Sequence, residues 1–226
     1  MGRSFGSGEF LYLLKAVPWT LALSLGALVG GGIVGLIIAI LRTAPSAALR
    51  WIATGYIELF QGTPVLMQLF VTYYGIAVLF DIQVGAWPAV LTAFTLYSGA
   101  FLGEIWRGSI EAIPRAQWEA AACLSLSFPK QLWLVILPQA ARISIPPTVG
   151  FAVQLIKTTS IAAIIGFVEL TRAGQLMTNT TFKPMIVYPV VAALYFILCW
   201  PLSLLAQHLE RRIDQSLGIK KHFSTT

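Results

Sequence analysis

Residues 17–41 run for 25 positions without a charged side chain. As a helix, that run is about 37 Å long, more than the roughly 30 Å hydrocarbon core of a bilayer. Four further apolar stretches follow, at about 51–80, 86–106, 148–168 and 185–205. A spanning segment must satisfy its own backbone hydrogen bonds, which runs of this length do as helices. The pattern predicts an all-α, polytopic transmembrane bundle of five spans in one domain, 1–226. Composition agrees: 11% of residues are charged, against about 25% in soluble domains. A soluble globular fold is thereby excluded.

The formal net charge is +6, and in a membrane protein an excess of Lys and Arg is first a topology signal. If the mixed segment 107–142 is cytoplasmic, the inside carries Arg42, Arg50, Arg107, Arg115, Lys130, Arg142, Arg211, Arg212, Lys220 and Lys221. The outside carries Arg3, Lys15, Arg172 and Lys183, and Lys157 stays in the membrane. Ten against four predicts the N-terminus outside and the C-terminus in the cytoplasm. The polar opening, 1–9, does not read as a cleaved signal. Cys123 and Cys199 have no metal-ligand spacing and read as inert residues in a reducing or lipid-buried setting. No metal site and no nucleic-acid partner are expected.

In the first run, Gly26 with Gly30 and Gly31 with Gly35 form two small-xxx-small pairs, read as close helix packing. The second run is interrupted by Gln61-Gly62-Thr63-Pro64, about 17 Å in from Trp51 and so near the midplane. Thr63 followed by Pro64 reads as an N-cap with proline at the first helical position. A half-helix starting there would offer free amides to a carboxylate. Counting from the span ends, Tyr97 and Ser98 also fall about 17 Å deep, and Lys157, Thr158, Thr159 and Ser160 about 14–18 Å deep. Three spans are thus expected to bring polar groups to one level, where a transporter holds its solute. The candidate substrate-binding set is Gly62, Thr63, Met67, Gln68, Tyr97, Ser98, Gln154, Lys157, Thr158, Ser160 and Glu169.

Each member has a structural alternative. Ser and Thr hydroxyls can simply join helices. Lys157, costly at mid-span, either lines a cavity or pairs with Glu58 or Glu104. Glu104 and Arg107 have the spacing of an intrahelical pair. Glu169 and Arg172 read as a solvated outer rim, with Glu169 a candidate for meeting the solute. No role is assigned to His208.

The segment Gln117-Trp118-Glu119-Ala120-Ala121-Ala122-Cys123-Leu124-Ser125, with Ile136-Leu137-Pro138 after it, resembles the EAA motif of ABC importer permeases. Four other stretches resemble the polar amino acid branch of that family: Glu58 to Pro64, Ser98 to Pro114, Lys157 to Ser160, and Glu169 to Arg172. The resemblance implies a type I ABC importer permease fold in the bacterial inner membrane. It also implies that the EAA segment docks on an ATPase subunit through Glu119, Ala120, Ala121, Ser125 and Pro138. The implied partners are two ATPase subunits, an extracytoplasmic solute-binding protein and a second permease, identical or sister. The implied substrates are amino acids such as histidine, glutamine, glutamate, arginine, cystine or opines. Gln61, Thr158, Ser109 and Ser125 depart from the family pattern. At Ser125 the motif glycine would suit a left-handed turn, so a cost of about 1 kcal/mol is expected.

The chain has no G-x-x-x-x-G-K-[ST] loop and no Gly-Lys dipeptide. It is therefore not read as the ATPase; it binds no cofactor, and ATP belongs to the partner subunit. An ion-coupled carrier would usually show an internal repeat and a midplane acid, and neither is present here. An intramembrane enzyme would need a nucleophile and base, or paired acids, at one depth. A scaffold would not need a broken span.

Overall fold

The computed structural model describes residues 6–216; Arg3, Lys220 and Lys221, used above for orientation, lie outside them. Among the described residues all regular elements are helical. Helix α1, Ser7–Thr43, starts well before the apolar run, with the Glu9 carboxylate accepting from the Gly6 N–H at 2.9 Å. It stops at Ala44, which is extended (ψ 149°) because Pro45 disfavours a helical residue before it.

α1 packs along α5, Ala86–Glu111. The contact is built from glycines on both helices: Gly26 faces Leu91, Gly31 faces Ser98, Gly35 faces Leu102, and Gly103 faces Ile38. The small-residue stripe is therefore a packing surface, as expected. Position increases along both helices through these pairs, so α1 and α5 run parallel.

Two parallel neighbours need a connection that returns the chain to its starting end. α2, Ala47–Gly62, begins this return beside α1, where Arg42 Nη1 donates to Thr54 Oγ1 and Ile38 clusters with Ala53 and Ile57. The chain then bends by 100° into Val65–Phe80. That stretch comprises α3 (Val65–Phe70), a π turn (Val71–Gly75) and α4 (Ile76–Phe80). Leu69 of α3 is fully buried in the cluster that contains Leu23, Ala27, Val90 and Phe94, toward the end where Trp19 meets Trp87.

α6, Arg115–Cys123, and α7, Phe128–Gln131, project beyond the Arg42 end. After a π turn (Leu132–Ile136), α8, Leu137–Thr158, returns antiparallel to α5: Trp106 Nε1 donates to Thr148 Oγ1 at 3.0 Å, and Phe101 stacks on Phe151. Pro146 and Pro147, read as preceding the span, lie inside α8, so the helix starts well before them. They free the carbonyls of Arg142 and Ile143 toward the α6 end, where the Arg142 side chain is exposed. The ends of the mixed segment 107–142 belong to α5 and α8, and α6 and α7 are the two short helices between them.

A 3₁₀ stretch (Thr159–Ile165) closes with Gly166 at φ 85°. α9, Leu170–Thr181, caps the Trp19 end, and α10, Pro184–Ser216, starts again from there. Four helical stretches are long and apolar enough to cross a bilayer, and the bent pair counted as one makes five. The parallel α1 and α5 require that count.

Candidate functional site

The break in the second span lies where expected, beside the middle of α5: Gln61 Nε2 donates to the Ala100 carbonyl at 3.2 Å. Its local chemistry differs from the expectation. Thr63 precedes proline and is extended (ψ 143°), ending α2, and Pro64, not Thr63, is the N-cap of α3. The Thr63 hydroxyl donates back to the Leu59 carbonyl at 2.7 Å and caps nothing in α3. Gln68 holds the break from the far side, its Nε2 donating to Phe60 O, Thr63 O and Thr63 Oγ1 at 2.8–3.1 Å. Gly62, Thr63 and Met67 remain exposed.

Tyr97 and Ser98 share this level but not its open side. Ser98 is fully buried, and its Cβ stands only 2.3 Å from where a Cβ on Gly31 would be. It fills the space left by that glycine, which removes it from a solute-facing role. Tyr97 is 9% exposed, packed against Phe101 and Phe151.

On α8 the exposed positions Pro147, Gly150, Gln154 and Lys157 recur at helical spacing, so one face is left uncovered, with Ile164 of the 3₁₀ stretch continuing it. Gln154 and Lys157 are the polar members of that stripe. Among the described residues no carboxylate lies within ion-pair distance of Lys157, and Glu104 is taken by Arg107, whose Nε donates to it at 2.9 Å. The pairing of Lys157 with Glu104 is thus corrected, and Glu58 is exposed on α2 without an ion pair. The single polar level is also corrected. Phe151 is the α8 residue beside Tyr97 and Phe101, so Lys157, six residues on, stands about 9 Å nearer the Trp19 end. The count began too late because α8 begins earlier. The hydroxyls of Thr158 and Ser160 are both spent on backbone carbonyls, Gln154 O and Lys157 O.

Glu169 is not on a solvated rim. It is fully buried and caps α9, accepting from the Thr171 and Arg172 amides at 2.8 Å each and from the Tyr195 hydroxyl at 2.7 Å. Burial pushes its carboxyl above the ordinary range, against the lowering effect of those donors. Next to it, the Leu170 amide donates to Thr20 Oγ1 at 3.1 Å. The knot ties α1, α9 and α10 together, with the Glu169 carboxylate at its centre. Sequence reading missed Thr20 and Tyr195; isolated polar groups in apolar runs were their only signal.

At the opposite end, α6 presents Glu119, Ala120, Ala122 and Cys123 outward and buries Ala121. Cys123 is therefore exposed, not lipid-buried. Trp118 stacks on Phe128 at 6.0 Å and fixes α6 against α7. The C-terminus closes as a Schellman turn: Leu126 N donates to Ala121 O and Ser125 N to Ala122 O, with Ser125 left-handed at φ 57°. The turn that a motif glycine would favour is thus made with serine. Pro138 is exposed in the first turn of α8.

Residues 31–215 match the family described as the binding-protein-dependent transport system inner membrane component. The chain belongs to that family. The L-cystine transport system permease protein TcyB of Bacillus subtilis (strain 168) is 37% identical over 90% of this chain and 87% of its own. The glutamine transport system permease protein GlnP of Escherichia coli (strain K12) is 33% identical over 89% and 92%. Among solved structures, an amino acid ABC transporter superposes with a TM-score of 0.83 at 31% identity, covering 89% of this chain and 94% of that one. The inward-facing MetNI methionine ABC transporter shares the fold at TM-score 0.78 and 18% identity. This inner membrane transport component is a permease subunit of an ABC importer, and ATP hydrolysis belongs to a separate subunit. The ion-coupled carrier reading falls away.

Proposed function

We propose that this permease admits a polar amino acid through a passage formed with a second permease chain, the N-terminus outside and α6 in the cytoplasm. The observation that carries the reading is Lys157: a cation on an uncovered helix face, within a span, with no carboxylate beside it among the described residues. A lone ammonium in a low-dielectric passage attracts an anionic group, and every free amino acid carries a carboxylate. Relatives named for cystine and glutamine support that solute class. Gln154 lies one turn below Lys157, and the exposed break at Gly62, Thr63 and Met67 lies deeper, so the passage has two polar layers. An extracytoplasmic binding protein delivers the solute at the α9 end.

At the cytoplasmic end, α6 docks in an ATPase subunit through Glu119 and its slim alanine face, with Ala120, Ala121, Ser125 and Pro138 shaping the segment. Closure of the ATPase pair moves α6 and, through the Trp118–Phe128 stack, α8. Uptake of labelled cationic, acidic and neutral polar amino acids and cystine, with the gene deleted and restored, tests the reading. Loss confined to one class, recovered on restoration, supports amino acid import. Unchanged uptake of all of them overturns the substrate assignment.

A further inference from the structure

Two cavities near the α6 end meet at one residue. The first, about 480 Å³, is almost wholly apolar, lined by Leu36, Ala39, Trp106, Trp133, Ala140 and Ile145 among others. The second, about 690 Å³, is mixed in character, with Arg42, Arg50 and Arg115 lining it beside Trp118 and Phe128. Ile110 belongs to both.

The hydrogen bonds leave the second cavity positively charged. Its lining carboxylate, Glu111, shares Arg107 with Glu104, and the three lining arginines still outnumber the one carboxylate charge that this leaves over. Arg50 donates through Nη1 to the Ala44 and Pro45 carbonyls, neutral partners that fix its position without cancelling its charge. Arg42 likewise meets a hydroxyl, Thr54, and its buried Nε has no partner. Arg115 is exposed at the start of α6. In the apolar cavity the Trp106 N–H is satisfied by Thr148, so nothing polar there asks for water. The apolar part lies along the last turns of α1 and α5 and the first turns of α8, and the arginines sit beyond it toward α6.

We infer that these neighbouring cavities connect past Ile110 and hold one anionic phospholipid, its acyl chain along the Trp106–Trp133 groove and its phosphate among Arg42, Arg50 and Arg115. Charge selects the ligand, because a zwitterionic headgroup brings its own cation to a site where arginines already outnumber carboxylates. Basic pockets between spans bind anionic headgroups in this way, and Trp side chains mark the interface. The inference rests on the membrane placement proposed above.

The test uses the assembled transporter, with its partner permease and ATPase, in vesicles containing phosphatidylglycerol or phosphatidylcholine brominated on the acyl chains. The Trp133 signal is taken as the difference between wild type and Trp133→Phe. The expected result is preferential quenching by phosphatidylglycerol that weakens with salt. In an R50Q/R115Q variant the preference should fall on the order of five-fold per arginine. Ala140→Phe should exclude both lipids from the groove. Equal quenching by the two lipids, or an unchanged preference in R50Q/R115Q, overturns the proposal. Uptake measured in the same vesicles reports separately on the transport reading.

Discussion

Gly31 and Ser98 share one volume: a Cβ on Gly31 would stand 2.3 Å from Ser98 Cβ and 3.0 Å from the Ser98 carbonyl carbon. Backbone is part of that obstacle, so no rotamer change relieves it. Gly31→Ala should therefore push α1 off α5 and destabilise the bundle by about 1–3 kcal/mol, the usual cost of overpacking. Gly55→Ala is the control, because nothing lies within 4 Å of a Cβ there and α2 continues through it. Reversible unfolding in detergent should show loss for the first and none for the second. Equal stability of both variants would remove the glycine contact as a determinant of the α1–α5 pair.

Glu169 has three donors aimed at it, and deleting the carboxylate orphans the Thr171 and Arg172 amides, while the Tyr195 hydroxyl keeps Thr171 Oγ1 at 3.0 Å. Glu169→Ala loses an N-cap and leaves two amides of α9 without their acceptor, for a cost of about 1–2 kcal/mol. Glu169→Gln keeps an acceptor oxygen, and because burial already disfavours the charged form, it should cost less than half as much. The same unfolding assay orders the two. If Gln is as damaging as Ala, the negative charge itself matters, and the purely structural role assigned here is wrong.

The parts legible in the sequence were those governed by length, by proline and by glycine. Apolar runs marked the spans, Thr63-Pro64 marked the break, and the Gly26–Gly35 stripe marked α1 as a close-packing helix without naming α5 as its partner. Depth was read less well. The counting began at Pro146-Pro147, but a helix buried among others tolerates freed carbonyls, so α8 ran on and Lys157 moved out of the Thr63 layer. Direction was not legible either. Ser98 and Glu169 point into the protein, not toward the passage, and only packing against Gly31 and Tyr195 reveals it.

Ser125 and Glu119 separate geometry from docking on one short segment. Ser125 is left-handed at φ 57° and exposed, so Ser125→Gly should stabilise the turn by about 1 kcal/mol and leave uptake intact. Glu119 is exposed on α6 with no ion pair among the described residues. Glu119→Lys should leave stability within about 0.5 kcal/mol, as surface substitutions do, yet abolish uptake and the coupling of ATP hydrolysis to it. Normal uptake by Glu119→Lys in correctly inserted protein would end the docking proposal.

Lys157 distinguishes a passage residue from a structural one. A structural lysine would be missed in unfolding; one that meets a solute carboxylate would be missed in transport. Because its ammonium has no carboxylate partner to leave behind, Lys157→Met should not destabilise the bundle and removes the cost of an unpaired charge within the span. The lost charge-assisted contact is worth about 1.5–3 kcal/mol, so KM for uptake should rise on the order of ten-fold or more. Lys157→Arg keeps the charge and should recover most of the affinity. Initial-rate uptake in proteoliposomes, read beside an unfolding curve of each variant, decides the matter. A Met variant that unfolds early but transports with unchanged KM would make Lys157 a packing residue and move the solute contact elsewhere.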